Sequence, residues 1–359
     1  MVEWYIHMES ILSGLSIEDF QRVLGKKKKF QIAPIVHLCD LLLRLDRGNQ
    51  WIETYSRLEA ILNRMALPMI KGIKLDGEAP KCGANGCAYL GALYKDNIVV
   101  VKAMIKPKIV ETFYEILVNM ILAKQTNTYI MAPKIYRMGY YKFPGDEFPK
   151  LVTVQEKLDG DSLKTLDEST LKDALVNLCD GLYKLRYNAG ISFSHRDLHT
   201  DNIMYDKKGK KIYLLDFGFA CVTMGKTCGS IQFKAPGKWS QLDPEKTCNN
   251  EVHDVCLLLL WLRMEKSYSW LVSACKTICT VYYEKYEVDY GVMQYEGINK
   301  YTWEKFKNGT VNFFHPWYMY KLYKVNTRMT LRDIQYYLAP TKEQSLADRL
   351  GAQWGDLKL

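Results

Sequence analysis

The sequence has no long apolar run. Its densest, Val255–Leu262, is far shorter than the ~20 consecutive apolar residues that a membrane helix needs, so a spanning protein is not expected. Met1–Ser10 carries Glu3 and Glu9 and no apolar centre, so no export signal is expected either. The ten cysteines form no C-x-x-C pair, which argues against a zinc ribbon. Without export they are expected as reduced thiols of a cytosol-like compartment, and the sequon Asn308-Gly309-Thr310 is expected to be chance. No internal repeat and no low-complexity tract is present. Dense basic charge is confined to Lys26–Lys29, too short and isolated a run to argue for a nucleic-acid partner.

What is present is a chain of 359 residues, long enough for about two domains with a sizeable core. Its formal net charge of +9 favours anionic partners such as phosphates or acidic peptides. The first 75 residues read as helical. Ser16-Ile17-Glu18-Asp19 resembles a capping box opening a helix that stops at Gly25. Pro34 suits a first turn ahead of Ile35, Leu38, Leu41, Leu42 and Leu45. Asn49 can cap a third helix with Trp51, Tyr55, Leu58, Ile61, Leu62 and Met65 on one face, ended by Pro68.

The chemistry concentrates in Ser194–Gly218, SHRDLHTDNIMYDKKGKKIYLLDFG. Phosphoryl transfer needs an acceptor for the attacking hydroxyl's proton and hard oxygen ligands for Mg²⁺ on the nucleotide phosphates. Asp197 suits the first role; Asn202 and Asp216 suit the second. Between them, two short apolar runs flank the polar turn Asp206–Lys210, a hairpin pattern that returns the chain to its starting end.

This stretch resembles the catalytic and metal loops of eukaryotic-type protein kinases, H-R-D-L-x-x-x-N followed by D-F-G. The resemblance implies an α+β, two-lobed protein-kinase-like fold with an N-terminal helical extension. The expected division is an extension over 1–75, a small nucleotide lobe over 76–156, a large helical catalytic lobe over 157–345 and a tail over 346–359. It also implies further site residues. KCGANGCAY resembles the phosphate loop, with Gly83 and Gly86 at two of its glycines, Lys81 at the other and Ala88 at its valine. IVVVKAM resembles the strand whose lysine, here Lys102, holds the α- and β-phosphates; Glu115 is the expected ion-pair partner, with Glu111 one turn earlier as the competitor. Leu151–Leu163 resembles the segment joining the lobes, with Glu156 at the adenine, Gln155 gating the pocket behind it, and Asp161 or Ser162 near the ribose. Ser169–Gly190, opened by Thr170-x-x-Asp173, is expected as a long helix, and Thr330-x-x-Asp333 as the cap of a late one. Asp254 resembles the aspartate that braces the catalytic loop.

The expected activity is ATP- and Mg²⁺-dependent phosphorylation of Ser/Thr on a protein substrate, in the cytoplasm. The pattern also departs from the family. His199 stands where most Ser/Thr kinases carry Lys. H-R-D-L-H is similar to haspin-like kinases, and a related histidine occurs in small-molecule phosphotransferases; Arg196 favours the protein-kinase side. His195 and His199 lack the intervening Glu of a zinc H-E-x-x-H pair. A-P-E is replaced by Ala235-Pro236-Gly237 or Asp243-Pro244-Glu245. The extension and these departures resemble the divergent kinases of large cytoplasmic DNA viruses, for which host cytoplasm or virion would be the location. A small-molecule phosphotransferase and a scaffold pseudokinase stay open as alternatives. Constitutive activity is the leading expectation; the alternative is a phosphate switch acting through Arg196 at Thr223, Thr227 or Ser230, Thr227 foremost.

Overall fold

The computed structural model describes residues 17–25, 37–42, 51–83, 86–106, 108–125, 128–224, 231–234, 251–279 and 330–339. In chain order come helices α1 (Ile17–Val23) and α2 (Trp51–Arg64), then strands β1 (Ile73–Lys74), β2 (Lys81–Cys82), β3 (Gly86–Tyr94) and β4 (Asn97–Met104). Helix α3 (Ile109–Ala123) precedes β5 (Ile130–Met131), β6 (Ile135–Tyr141), β7 (Lys150–Glu156) and β8 (Asp161–Ser162). Helix α4 (Glu168–Tyr187) leads to β9 (Ile191–Ser194), β10 (Ile203–Asp206), β11 (Lys211–Leu214), β12 (Cys221–Met224) and β13 (Ile231–Lys234). Helices α5 (Glu251–Glu265), α6 (Ser269–Ala274) and α7 (Leu331–Leu338) complete the described chain. The class is α+β, as the sequence led us to expect. No helix among the described residues is long and apolar enough to cross a membrane.

The chain forms two compact units. The first takes its described residues from 1–126, 132–159 and 215–244. Its sheet runs β1-β3-β4-β7-β6, with β2 also on β3, and its strand pairs are antiparallel. Period-two alternation in β4 turns Val99, Val101 and Ala103 into the core, where they meet Tyr94, Val152 and Val154. Lys102, between them, falls on the other face. Helix α3 buries twelve side chains, as a helix apolar on most of its circumference must. Upstream of β1, α1 gives way to a turn ending at Gly25, whose φ of 70° suits glycine, and α2 buries Leu58 and Leu62; the expected cap residues Ser16 and Asn49, and Pro34, lie outside the described residues.

The second unit takes its described residues from 127–131, 160–214 and 245–359. Its sheet runs β5-β11-β10-β8, with β5 parallel to β11. The expected hairpin is there: Ile203 pairs with Leu214 and Asp206 with Lys211, so the chain leaves β11 at the end where Asn202 enters β10. Helix α4 approaches β5 closely at Gly181, where a Cβ would come within 2.8 Å of Ile130 Cγ1. Its cap is Asp167, whose carboxylate accepts from the Thr170 N–H, and not Thr170. The two are three residues apart and both are cap formers; Asp167 has the extended backbone that the cap position needs. Helix α7 opens with the full Thr330/Asp333 capping box and is tied to α4 by Arg332–Asp180 at 3.2 Å.

Candidate active site

In the first unit, Lys102, Glu115 and Asp216 come together. Lys102 Nζ donates to Glu115 Oε1 at 2.6 Å and lies 3.7 Å from Asp216 Oδ2. Glu111, the competing carboxylate, is instead bonded by the Tyr55 hydroxyl at 2.9 Å. Burial would push the Lys102 ammonium down, but the Glu115 and Asp216 carboxylates more than offset this and hold it above the ordinary lysine value. Burial pushes Glu115 up, and Lys102 works against that rise. Asp216 is half exposed and adopts φ 61°, a left-handed conformation that Asp tolerates better than most residues. Just after it, Phe217 is fully buried.

The glycine loop is a tight hairpin beside this group. Gly83 N–H bonds to Gly86 C=O at 2.8 Å, and β3–β4 pairing sets Ala88 opposite Lys102. Gly86 has no room for a Cβ, which would meet Ala103 O at 2.4 Å; Gly83 has open space around it. Cys82 and Cys87 face each other across the hairpin and form a disulfide. Cys221 is disulfide-bonded as well. The reduced-thiol expectation is therefore corrected for these residues: strand register brings Cys82 and Cys87 together, which their spacing alone does not reveal. Cys39, Cys179, Cys256 and Cys275 are buried and in no disulfide. Glu156, at the end of β7, accepts from the Lys134 N–H at 3.0 Å.

The second unit carries the loop that holds Arg196, Asp197 and Asn202. Asp254, near the start of α5, braces it from fully buried ground. Its carboxylate accepts from Ser194 Oγ at 3.1 Å, His195 N–H at 2.6 Å and Arg196 N–H at 2.8 Å. Burial pushes Asp254 up to about 7, against the pull of those three donors. Arg196 has φ 65°, a sparsely populated conformation for such a side chain, held here by the buried brace. Asp197 is half-buried. Its carbonyl accepts from Asn202 Nδ2 at 2.9 Å, and that nitrogen is also 3.1 Å from His199 Nε2. Asp161 pairs with Lys207 at 3.2 Å, and Ser162 Oγ caps the turn after β8 by accepting from the Lys164 N–H.

Residues 82–247 match the family model described as protein kinase domain. That match supports this chain's membership of the protein kinase superfamily. Its α+β architecture, with an antiparallel sheet of its own in one unit, is the kinase-like fold, and it carries a phosphotransferase domain of that class. No curated protein matches it.

The two units also hold residues that the sequence did not mark. Tyr114, next to Glu115, donates to Ala220 C=O at 2.6 Å and lies within hydrogen-bond reach of Phe233 C=O at 3.1 Å; it thus ties α3 to the segment after Asp216. Lys164 bridges Asp201 at 2.8 Å and Glu265 at 3.2 Å, and Thr200 donates to Glu265 at 2.9 Å. None of these belongs to a short motif; each is a contact between elements distant in the chain. Of the candidate phosphate switches, Thr223 lies within β12 with its hydroxyl buried, so that position is not presented for modification. Thr227, Ser230 and both replacements for A-P-E lie outside the described residues.

Proposed function

We propose that the chain is an ATP- and Mg²⁺-dependent serine/threonine protein kinase. The observation that carries this reading is the Lys102–Glu115 pair at 2.6 Å with Asp216 beside it. A lysine in an apolar strand needs anionic company, and this one is held where a polyphosphate could replace part of it. In this reading 76–156 is the nucleotide lobe and 157–345 the catalytic lobe, flanked by the extension and the tail.

Each residue then has a task. Lys102, oriented by Glu115, binds the α- and β-phosphates. Gly83 and Gly86 let backbone N–H groups approach phosphate oxygens, with Ala88 flooring the site. Glu156 lies at the adenine and Asp161 near the ribose. Asn202 and Asp216 offer the hard oxygen donors that Mg²⁺ prefers, and the Asn202 amide turns its nitrogen to the loop, leaving Oδ1 for the cation. Bound Mg²⁺ supplies positive charge to the phosphates. Asp197 accepts the proton of the attacking hydroxyl, and the Asp254 brace fixes the backbone that presents it.

The serine/threonine preference rests on the H-R-D-L-H resemblance. His199 beside Asn202 also favours a second reading, a small-molecule phosphotransferase. Incubation with radiolabelled ATP and either mixed protein or a panel of alcohols and aminoglycosides separates the two. Mass spectrometry of the labelled protein then reads the acceptor. Label on phosphotyrosine alone would remove the serine/threonine assignment, and no label on anything would favour a pseudokinase.

A further inference from the structure

The matched domain begins at residue 82, yet helices α1 and α2 lie upstream of it and grip α3, the helix that carries Glu115. The contacts run along the helix. At the first turn of α3, Tyr55 of α2 donates to Glu111 Oε2 at 2.9 Å. In the middle, Phe20 of α1 packs on Phe113 with ring centroids 6.5 Å apart. Just past the last turn, Asp19 pairs with Lys124 at 2.9 Å. Helix α1 is itself fastened to β6: Arg22 donates to Ile135 C=O at 3.5 Å, and Arg137 donates to Arg22 C=O.

We propose that α1 and α2 form a built-in brace that sets the register of α3 against Lys102, with Tyr55 as its positioning residue. The proposal rests on the phosphotransfer reading above and deepens it. Helix α3 presents two carboxylates four residues apart, so a shift by about one turn, ~5.4 Å, would offer Glu111 to Lys102 in place of Glu115. Elements do slide by a turn in switching proteins. Tyr55 occupies Glu111 and so favours the register in which Glu115 meets the lysine. Burial and the Glu111 carboxylate push the Tyr55 phenol above its ordinary value, so it stays a donor at neutral pH. Tyr114 fixes the same helix to the carbonyls of Ala220 and Phe233. The brace and the segment after Asp216 therefore bear on one helix.

The test uses the full chain and the variants Tyr55→Phe and Glu111→Gln. Two readouts are taken: hydrogen exchange of the α3 amides against those of β4, and kcat with KM for ATP and for a protein substrate. Tyr55→Phe should speed exchange in α3 and leave β4 protected. Its kcat should fall about tenfold, the scale of one lost hydrogen bond to a charged group, with KM for the protein substrate unchanged. Glu111→Gln keeps an acceptor oxygen and should lose less. In a Lys102→Met background, Tyr55→Phe should cause no further fall, because it acts through that lysine. Unchanged α3 exchange, or loosened α3 with unchanged kcat, overturns the proposal while leaving an active wild type as a kinase. A wild type that transfers no phosphate, with α3 loosened in the variant, keeps the brace and removes the phosphotransfer reading.

Discussion

Lys102 shows how one residue's environment states its task. It sits in an apolar strand with a carboxylate at 2.6 Å and another at 3.7 Å, an arrangement that favours its charged form. Its value lies where phosphate charge is redistributed in the transition state. Lys102→Met is expected to lower kcat by at least a hundredfold and to raise KM for ATP far less. Steady-state kinetics over a range of ATP concentrations checks this. Full activity would mean that another lysine does the work, with Lys106 the nearest alternative. This residue and its partner were legible because both lie on regular elements at a fixed spacing. Tyr55 was not. It is one of 25 tyrosines, and its role comes from a contact 56 residues away in the chain, which no local pattern encodes.

At the scale of elements, the glycine hairpin and helix α5 make the sharper tests. Gly86→Ala would drive a Cβ to 2.4 Å from Ala103 O, a backbone atom of the neighbouring strand that cannot swing aside. The expected result is displacement of the hairpin from β4, with weaker ATP binding than wild type by titration calorimetry. Gly83→Ala meets open space and should bind nearly as wild type does. The hairpin itself was legible from its glycines; the disulfide across it was not, because pairing depends on register and register on the fold. Helix α5 offers a pH test. The unfolded Asp254 carboxyl titrates near 3.8 and the folded one at about 7. Between those values the folded chain holds a proton that the unfolded chain has lost. Stability from this group therefore falls as pH rises from about 4 to 7, by at most ~1.4 kcal/mol per unit, and is flat above. Asp254→Asn removes this titration and one acceptor oxygen, leaving a buried N–H facing its amide at a cost of about 1–3 kcal/mol. The melting-temperature gap between wild type and Asp254→Asn should thus be widest near pH 4 and narrow towards pH 7.5. A gap that widens with pH would mean that the three donors, and not burial, set the state of Asp254.

At the scale of the whole molecule, the question is whether nucleotide and metal bind as a unit. The net charge of +9 favours association with a polyphosphate, increasingly so at low salt. A ligand that binds only the folded chain stabilises it by about 2.7 kcal/mol at a hundredfold excess over Kd. For a chain of this size that is a rise of roughly 3–5 °C in melting temperature. We expect ATP with Mg²⁺ to give such a rise, and ATP with a chelator to give clearly less, because Asp216 and Asn202 contribute only through the cation. Asp216→Asn keeps the shape of the side chain and removes its charge. Its melting temperature without ligand should match wild type within a few degrees, since the carboxylate is half exposed. Its turnover should be abolished, and its response to ATP should no longer depend on Mg²⁺. The decisive comparison is therefore four melts, wild type and Asp216→Asn, each with ATP and either Mg²⁺ or chelator. A variant that still shows the full magnesium increment would take Asp216 out of the metal site, whatever its activity. A wild type that shifts equally with and without Mg²⁺ would mark a nucleotide-binding scaffold and not an enzyme of the class its domain implies.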